Sequence, residues 1–234
     1  KRFFAEKGIN TDYFNGIKDN VLYIHTDYRD NIKNLSQSFL DIVEHTKETN
    51  YEKYEYRYLG KFRNRAEGAV FNNWEIGDFD KSLSFQFGLD FGFNTDPDTF
   101  VKVAIDSRRK IIYCDECFYN TNQSIADLKR NIEKFTLRNN LIIAESANPR
   151  LINELRPFFN VRPVIKRSGS VYEGTRIMQD YKIIVTENSK NLIKELLNYA
   201  WNDKKAGIPI DEYNHLIDAI RYVVLTMIRK RITL

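Results

Sequence analysis

The sequence predicts an α/β fold with a mixed central sheet, antiparallel in its first three strands and flanked by helices. Two observations carry this. Three strand-like runs follow one another from residue 83 with only turns between them. From residue 121, helical and strand-like segments alternate to the end of the chain. The composition allows it: of 234 residues, 42% are hydrophobic and 14% aromatic, enough for a real core and unlike a disordered chain.

Each element has its own signal. LSFQFGLDFG (83–92), TFVKVAIDS (99–107) and KIIYCDECFY (110–119) are β-branched and aromatic runs separated by turn residues. TNQSIADLKRNIEKFTLRNN (121–140) is an amphipathic helix with polar starters. LIIAES (141–146) is a short buried strand, and NPRLINELRPF (148–158) is a helix with proline in its first turn. VRPVIKR (161–167) is a strand, SVYEGTRIMQD (170–180) a helix and YKIIVTE (181–187) a strand. NLIKELLNYAW (191–201) and DEYNHLIDAIRYVVLTMIRKR (211–231) are helices. Residues 1 to 80 are more polar. They offer a short strand in VLYIHTDY (21–28), helices over 34–50 and 50–64, and an extended AVFNNWEI (69–76), with little apolar material for an independent core.

The bulk numbers exclude more than they select. Net charge is +4, from 36 basic and 32 acidic residues, which does not itself announce a nucleic-acid binder but permits a local basic groove. Cys114 and Cys117 form a lone CxxC with no second pair and no nearby histidine, so zinc would lack ligands. They read as a structural or incidental thiol pair and fit a reducing cytosol. No apolar run approaches the ~18 residues of a membrane span. The chain starts KRFFAEKG without methionine, which predicts a piece of a longer protein. GxxxxGK[ST], GxSxG and GxGxxG are all absent, which removes P-loop, nucleophile-elbow and dinucleotide-binding chemistry.

Three acids stand in unusual places. In FQFGLDFG, alternation puts Phe85, Phe87, Leu89 and Phe91 on one face and Gln86, Gly88, Asp90 and Gly92 on the other. Asp90 therefore lies on a face cleared of bulk, where a ligand or another backbone approaches closely. Glu145 closes a strand at its carboxyl end, where α/β folds place ligands. In the last helix, Asp211, His215, Asp218 and Tyr222 share one face beside an apolar stripe. Carboxylates converging from separate elements are what hard divalent ions require, and two such ions suit phosphodiester hydrolysis.

The succession FGLDFGFNTDP, LIIAESANPRLINEL and DEYNHLIDAIRY resembles the nuclease domain of tailed-bacteriophage terminase large subunits. These are DNA-packaging motors with an N-terminal ATPase and a C-terminal nuclease of the ribonuclease H-like fold. The resemblance covers about residues 83 to 228, and YEYRYLGKFRNRAEGAVFNNWEI looks like the linker out of the ATPase. It implies a tail of the ATPase domain and linker over 1–80 and a ribonuclease H-like nuclease over 82–234. Asp90, Glu145, Asp218 and His215 would be the catalytic and metal-binding residues, holding two Mg²⁺ or Mn²⁺ ions. Glu145 departs from the aspartate usual there. Lys166, Arg167 and Arg176 would grip the DNA backbone. The implied activity is cutting of concatemeric viral DNA during genome packaging in the host cell cytoplasm. Implied partners are double-stranded DNA, the terminase small subunit and the portal protein, with ATP used only by the ATPase domain missing from this chain. A resolvase- or integrase-type nuclease of the same fold, and a non-cleaving module that binds DNA or the portal, are the alternatives.

Overall fold

The computed structural model describes residues 15–232 except 19, 50, 62–65, 67, 93–94, 203–204 and 206. The chain divides between residues 64 and 65 into two compact units.

In the first unit, β1 (Gly16–Lys18) and β2 (Val21–Tyr23) pair antiparallel. A 3₁₀ helix (Tyr28–Asn34) follows, capped by the Asp27 carboxylate on the Arg29 amide. Helices α1 (Gln37–Thr49) and α2 (Tyr51–Tyr58) come next. Their interior is small and mostly aromatic: Val43, Tyr54 and Leu59 are buried, with Tyr28, Phe39 and Tyr58 packed against them. Aromatic rings substitute for the aliphatic material that the sequence lacks here.

The second unit is a seven-stranded mixed sheet between helices. Its strands are β3 (Trp74–Ile76), β4 (Phe85–Asp90), β5 (Asp98–Asp106), β6 (Ile111–Asn120), β7 (Leu141–Ala144), β8 (Asn160–Pro163) and β9 (Lys182–Val185), in the order β3-β9-β6-β5-β4-β7-β8. The pairs β4–β5 and β5–β6 are antiparallel and all others parallel, which is the mixed sheet the sequence predicts. The alternating segments supply helices α3 (Ile125–Glu133), α4 (Pro149–Leu155), α5 (Ser170–Gln179), α6 (Lys190–Asn198) and α7 (His215–Ile232). β3 falls within the stretch that the sequence groups with the upstream segment, yet it pairs with β9 at the edge of the large sheet.

Local chemistry sets the helix starts. Ser124 and Asp127 form a capping box, so α3 begins later than the periodicity suggests. Asn148 caps α4 ahead of Pro149. The closing helix begins at His215 rather than residue 211, because residues 211–213 bend and Asn214 donates its side-chain amide to Asp211.

The strand alternation separates two cores. Phe87, Leu89, Phe100, Phe118, Ile142 and Ala144 face α3 and α4, meeting Leu128, Ile132, Ile152 and Leu155. Val101, Val103, Ile112, Ile143 and Ile183 face the other way, toward Met178 of α5, Leu192 and Leu196 of α6, and the Leu216–Val224 part of α7. α7 lies directly over β4. A Cβ on Gly88 would come within 2.1 Å of the Ala219 carbonyl oxygen, so only glycine lets the helix settle there. Cys114 and Cys117 both lie on β6 as free thiols, and burial pushes both well above the ordinary thiol range.

Candidate metal centre at the carboxyl ends of the strands

Asp90 is the last residue of β4, and Glu145 directly follows β7. The Glu145 amide donates to the Leu89 carbonyl at 2.9 Å, which continues the β4–β7 pairing and sets the two acids side by side. The glycine-cleared face of β4 brings α7 down onto the same spot. His215, at the first position of α7, approaches Asp90 with Nδ1 at 3.4 Å from Oδ2. Tyr222, nearly two turns on, donates its hydroxyl to Asp90 Oδ1 at 2.9 Å. Asp218 lies on the turn between them.

Asp90, Glu145, His215, Asp218 and Tyr222 thus line one cavity of about 300 Å³. The cavity also takes in Asp96, Asp211, Lys166 and Arg221, so five carboxylates face it. Of the sequence-predicted site residues, Asp90, Glu145, Asp218, His215 and Lys166 come together here. Arg167 and Arg176 are exposed and do not line it.

The ionisation of Asp90 reflects its burial first and the neighbouring charges second. Burial, reinforced by the nearby Asp218 and Glu145 charges, pushes its carboxyl up to about 6 against the opposing His215 and Tyr222 hydrogen bonds. His215 is raised above the ordinary imidazole value, chiefly by its hydrogen bond to Asp90. Burial, then the Asp90 and Asp218 charges, push Tyr222 far up, so it stays a hydrogen-bond donor.

The other two acids have cation partners from the chain itself. Lys166 Nζ lies 2.8 Å from Glu145 Oε1 and 5.1 Å from the centre of the Tyr222 ring. Arg221 grips Asp218 with both arms of its fork, Nη2 at 2.6 Å from Oδ2 and Nε at 3.2 Å from Oδ1. Arg221 is only 3% exposed, and its stem passes Gly174 of α5 where a Cβ would sit 2.4 Å from its Cγ. The two pairs differ: Lys166 is solvent-accessible, whereas Arg221 is walled in. Among the described residues, no three His, Cys, Asp or Glu side chains are arranged as a ready metal site. The donors still fit a hard divalent ion: they are carboxylate oxygens whose mutual repulsion a cation relieves. Glu145 and Asp218 would have to share or leave their present partners to bind one.

Sequence reasoning missed Arg221, Glu195 and Gly174. Arg221 stands three residues after Asp218, a spacing at which helical side chains meet. Glu195 of α6 is 2% exposed and accepts the Ile217 amide at 3.0 Å, capping the start of α7 from a neighbouring helix. Its signal was an acid among the core positions Leu192 and Leu196. Gly174, a glycine inside a helical pattern, was the third signal.

Comparison with known proteins decides the family. The terminase RNase H-like domain family matches residues 90–225. The chain belongs to that family. This terminase domain is similar to the large terminase subunit of Bacillus phage SPP1, 29% identical over 240 aligned positions that take in 95% of this chain and 55% of the relative. It is 28% identical to the PBSX phage terminase large subunit of Bacillus subtilis, over 89% of this chain and 51% of that one. The chain spans about half the length of these curated relatives. Among solved structures, the SPP1 large-terminase nuclease domain with bound Mn is similar at a TM-score of 0.58 and 29% identity, over 65% of this chain and 95% of that one. The P22 large-terminase nuclease domain shares the fold at a TM-score of 0.54 and 12% identity, over 71% of this chain and 91% of that one. The ribonuclease H-like fold expected from the sequence is the fold observed. Among the described residues, no helix is long and apolar enough to cross a membrane.

Proposed function

We propose that this domain is a metal-dependent DNA endonuclease, the C-terminal part of a terminase large subunit, which cuts concatemeric viral DNA during genome packaging. The observation that carries this reading is the convergence of Asp90, Glu145, Asp218 and His215, from three separate elements, on one cavity. Similarity to a nuclease domain solved with bound Mn supports a divalent ion there, Mn²⁺ or Mg²⁺.

Asp90 is the central ligand in this reading, because it is held from both sides by Tyr222 and His215 and feels the charges of both other acids. Glu145 and Asp218 would each serve one of two ions. Divalent ions held there would supply positive charge at the scissile phosphate and lower the pKa of an attacking water. The chain's own residues do the rest. Tyr222 fixes the Asp90 carboxylate, Arg221 fixes Asp218, and His215 is placed to take or give a proton beside Asp90. Lys166 is free to swing from Glu145 to a DNA phosphate. Because phosphate contacts carry no sequence code, cutting should show little base preference. Residues 1–80 would lead out of an ATPase domain, and the small subunit, the portal and ATP would act on the whole motor.

A non-cleaving DNA- or portal-binding module is the second reading, favoured by the two acids already tied to Lys166 and Arg221. Incubation of the chain with supercoiled plasmid in Mn²⁺ and in Mg²⁺ separates the two. Nicked and linear products, lost on chelation and lost in Asp90→Asn, are expected. Mn²⁺ should also raise the Tm of the wild type and not of Asp90→Asn. Intact plasmid in both metals would leave the second reading standing.

A further inference from the structure

A second basic feature lies away from the acid cavity. Arg138 and Asn139 from the turn before β7, Arg156 just after α4, and Asn160 and Arg162 of β8 line one cleft of about 790 Å³. No carboxylate lines it. All three arginines are exposed, and among the described residues none of them is in an ion pair. The one side-chain hydrogen bond they make there is from Arg156 Nη1 to the neutral Asn153 amide oxygen, at 3.0 Å. Arg109, Arg130 and Arg150 of this unit are each tied to an acid. Arg108, Arg167 and Arg176 are exposed without an ion pair among the described residues but stand apart from this cleft, which is where three unpaired arginines gather. The three guanidinium forks of the cleft keep most of their donors for something else.

The place of the cleft in the sheet says what that is. β8 is an edge strand that runs parallel to β7. The cleft takes in the amino ends of both strands, while Glu145 and Lys166 follow their carboxyl ends. Four residues per strand at about 3.3 Å per step separate the two ends by about 10 Å, close to three base-pair rises measured along the duplex axis. Arg162 lies between, and Lys166 and Arg167 carry the positive charge on to the cavity mouth. Guanidinium forks match phosphate oxygens two at a time.

We propose that Arg138, Arg156 and Arg162 form a phosphate-binding track along the β8 edge that seats the DNA backbone leading into the acid cavity. The proposal rests on the nuclease reading and extends it to a surface outside the cutting site. The track holds the duplex in register and leaves the choice of sequence untouched.

The test uses the whole chain carrying Asp90→Asn, so that DNA is bound and not cut, and a fluorescein-labelled duplex titrated over a range of salt concentrations. Replacing Arg138, Arg156 and Arg162 with Gln should weaken binding at fixed salt by tenfold or more and flatten the dependence of log K on log salt by about 2–3. The single Arg138→Gln variant, on a surface turn, should flatten it by about 1 and keeps the test alive if the triple variant folds poorly. Unchanged affinity and slope in a folded triple variant overturn the track. So does aggregation of the triple variant with normal DNA binding, which would make these charges guards of an open sheet edge. If poly-glutamate binds the parent and not the triple variant while DNA affinity is unchanged, the cleft takes an acidic protein segment and the proposal is also overturned. Failure of the nuclease reading looks different: the wild-type chain then leaves plasmid intact in both metals, whatever the arginines do.

Discussion

On one face of β4, Phe87 stacks on Phe100 with ring centroids 4.7 Å apart, and Phe100 on Phe118 at 5.3 Å. On the other, Gly88 lies bare beneath Ala219 of α7, and Asp90 meets His215 and Tyr222. The first face is filled by interlocking side chains, which tolerate small changes of shape by repacking. The second is filled by a helix backbone, which cannot repack. The lesson is that the acid site depends on an absence of atoms: without the bare glycine, α7 could not bring His215, Asp218 and Tyr222 within reach of Asp90.

The sharpest way to break this contrast is Gly88→Ala. One methyl group against a carbonyl 2.1 Å away must displace α7. We expect a loss of at least about 4 kcal/mol, read as a lowered urea midpoint or no soluble protein. A wild-type midpoint would mean that α7 does not rest on β4. On the opposite face, Phe100→Ala removes the middle ring of the stack and should cost about 3–4 kcal/mol by the same measurement, with the cavity site still binding Mn²⁺. Loss of Mn²⁺ binding in folded Phe100→Ala would show that the two faces are coupled.

Glu195 tests how firmly the start of α7 is held. Burial pushes its carboxyl up to about 7, against an ordinary value of 4.5. The folded chain therefore holds this proton more tightly than the unfolded chain does. Its contribution to stability is full below about pH 4.5 and is lost as pH rises through about 7, an effect of roughly 3 kcal/mol. Glu195→Gln should match wild type in acid and be more stable than wild type above neutral pH, as read by Tm against pH. Parallel Tm curves for the two proteins would rule this out. The smallest effect is expected at Gly174→Ala. In an open helix this change gains about 0.5–1 kcal/mol. Here the new methyl overlaps the stem of the walled-in Arg221, so a loss of about 1–2 kcal/mol is expected, together with weaker Mn²⁺ binding as Asp218 loses its anchor. A raised Tm with unchanged Mn²⁺ binding would remove Arg221 from the positioning of Asp218.

Much of this was legible in the sequence, because it depends on periodicity and local chemistry. The alternation in FQFGLDFG already separates the aromatic face from the glycine face, since successive strand side chains point to opposite sides. The order of strands and helices, and Asp90, Glu145, His215 and Asp218 as members of one site, follow from pattern and from the family resemblance. The partners of those residues do not. That Lys166 lies against Glu145, that Arg221 locks Asp218 through the gap at Gly174, and that β3 joins the sheet beside β9 all depend on segments distant in sequence. Strand order is set by which edges and faces remain to be covered once the central strands have paired, and no local signal records that. The sequence by itself determined which residues face inward and which acids are available. Only the tertiary structure decided which cation each acid meets, because distances between side chains on separate elements exist only after the elements pack.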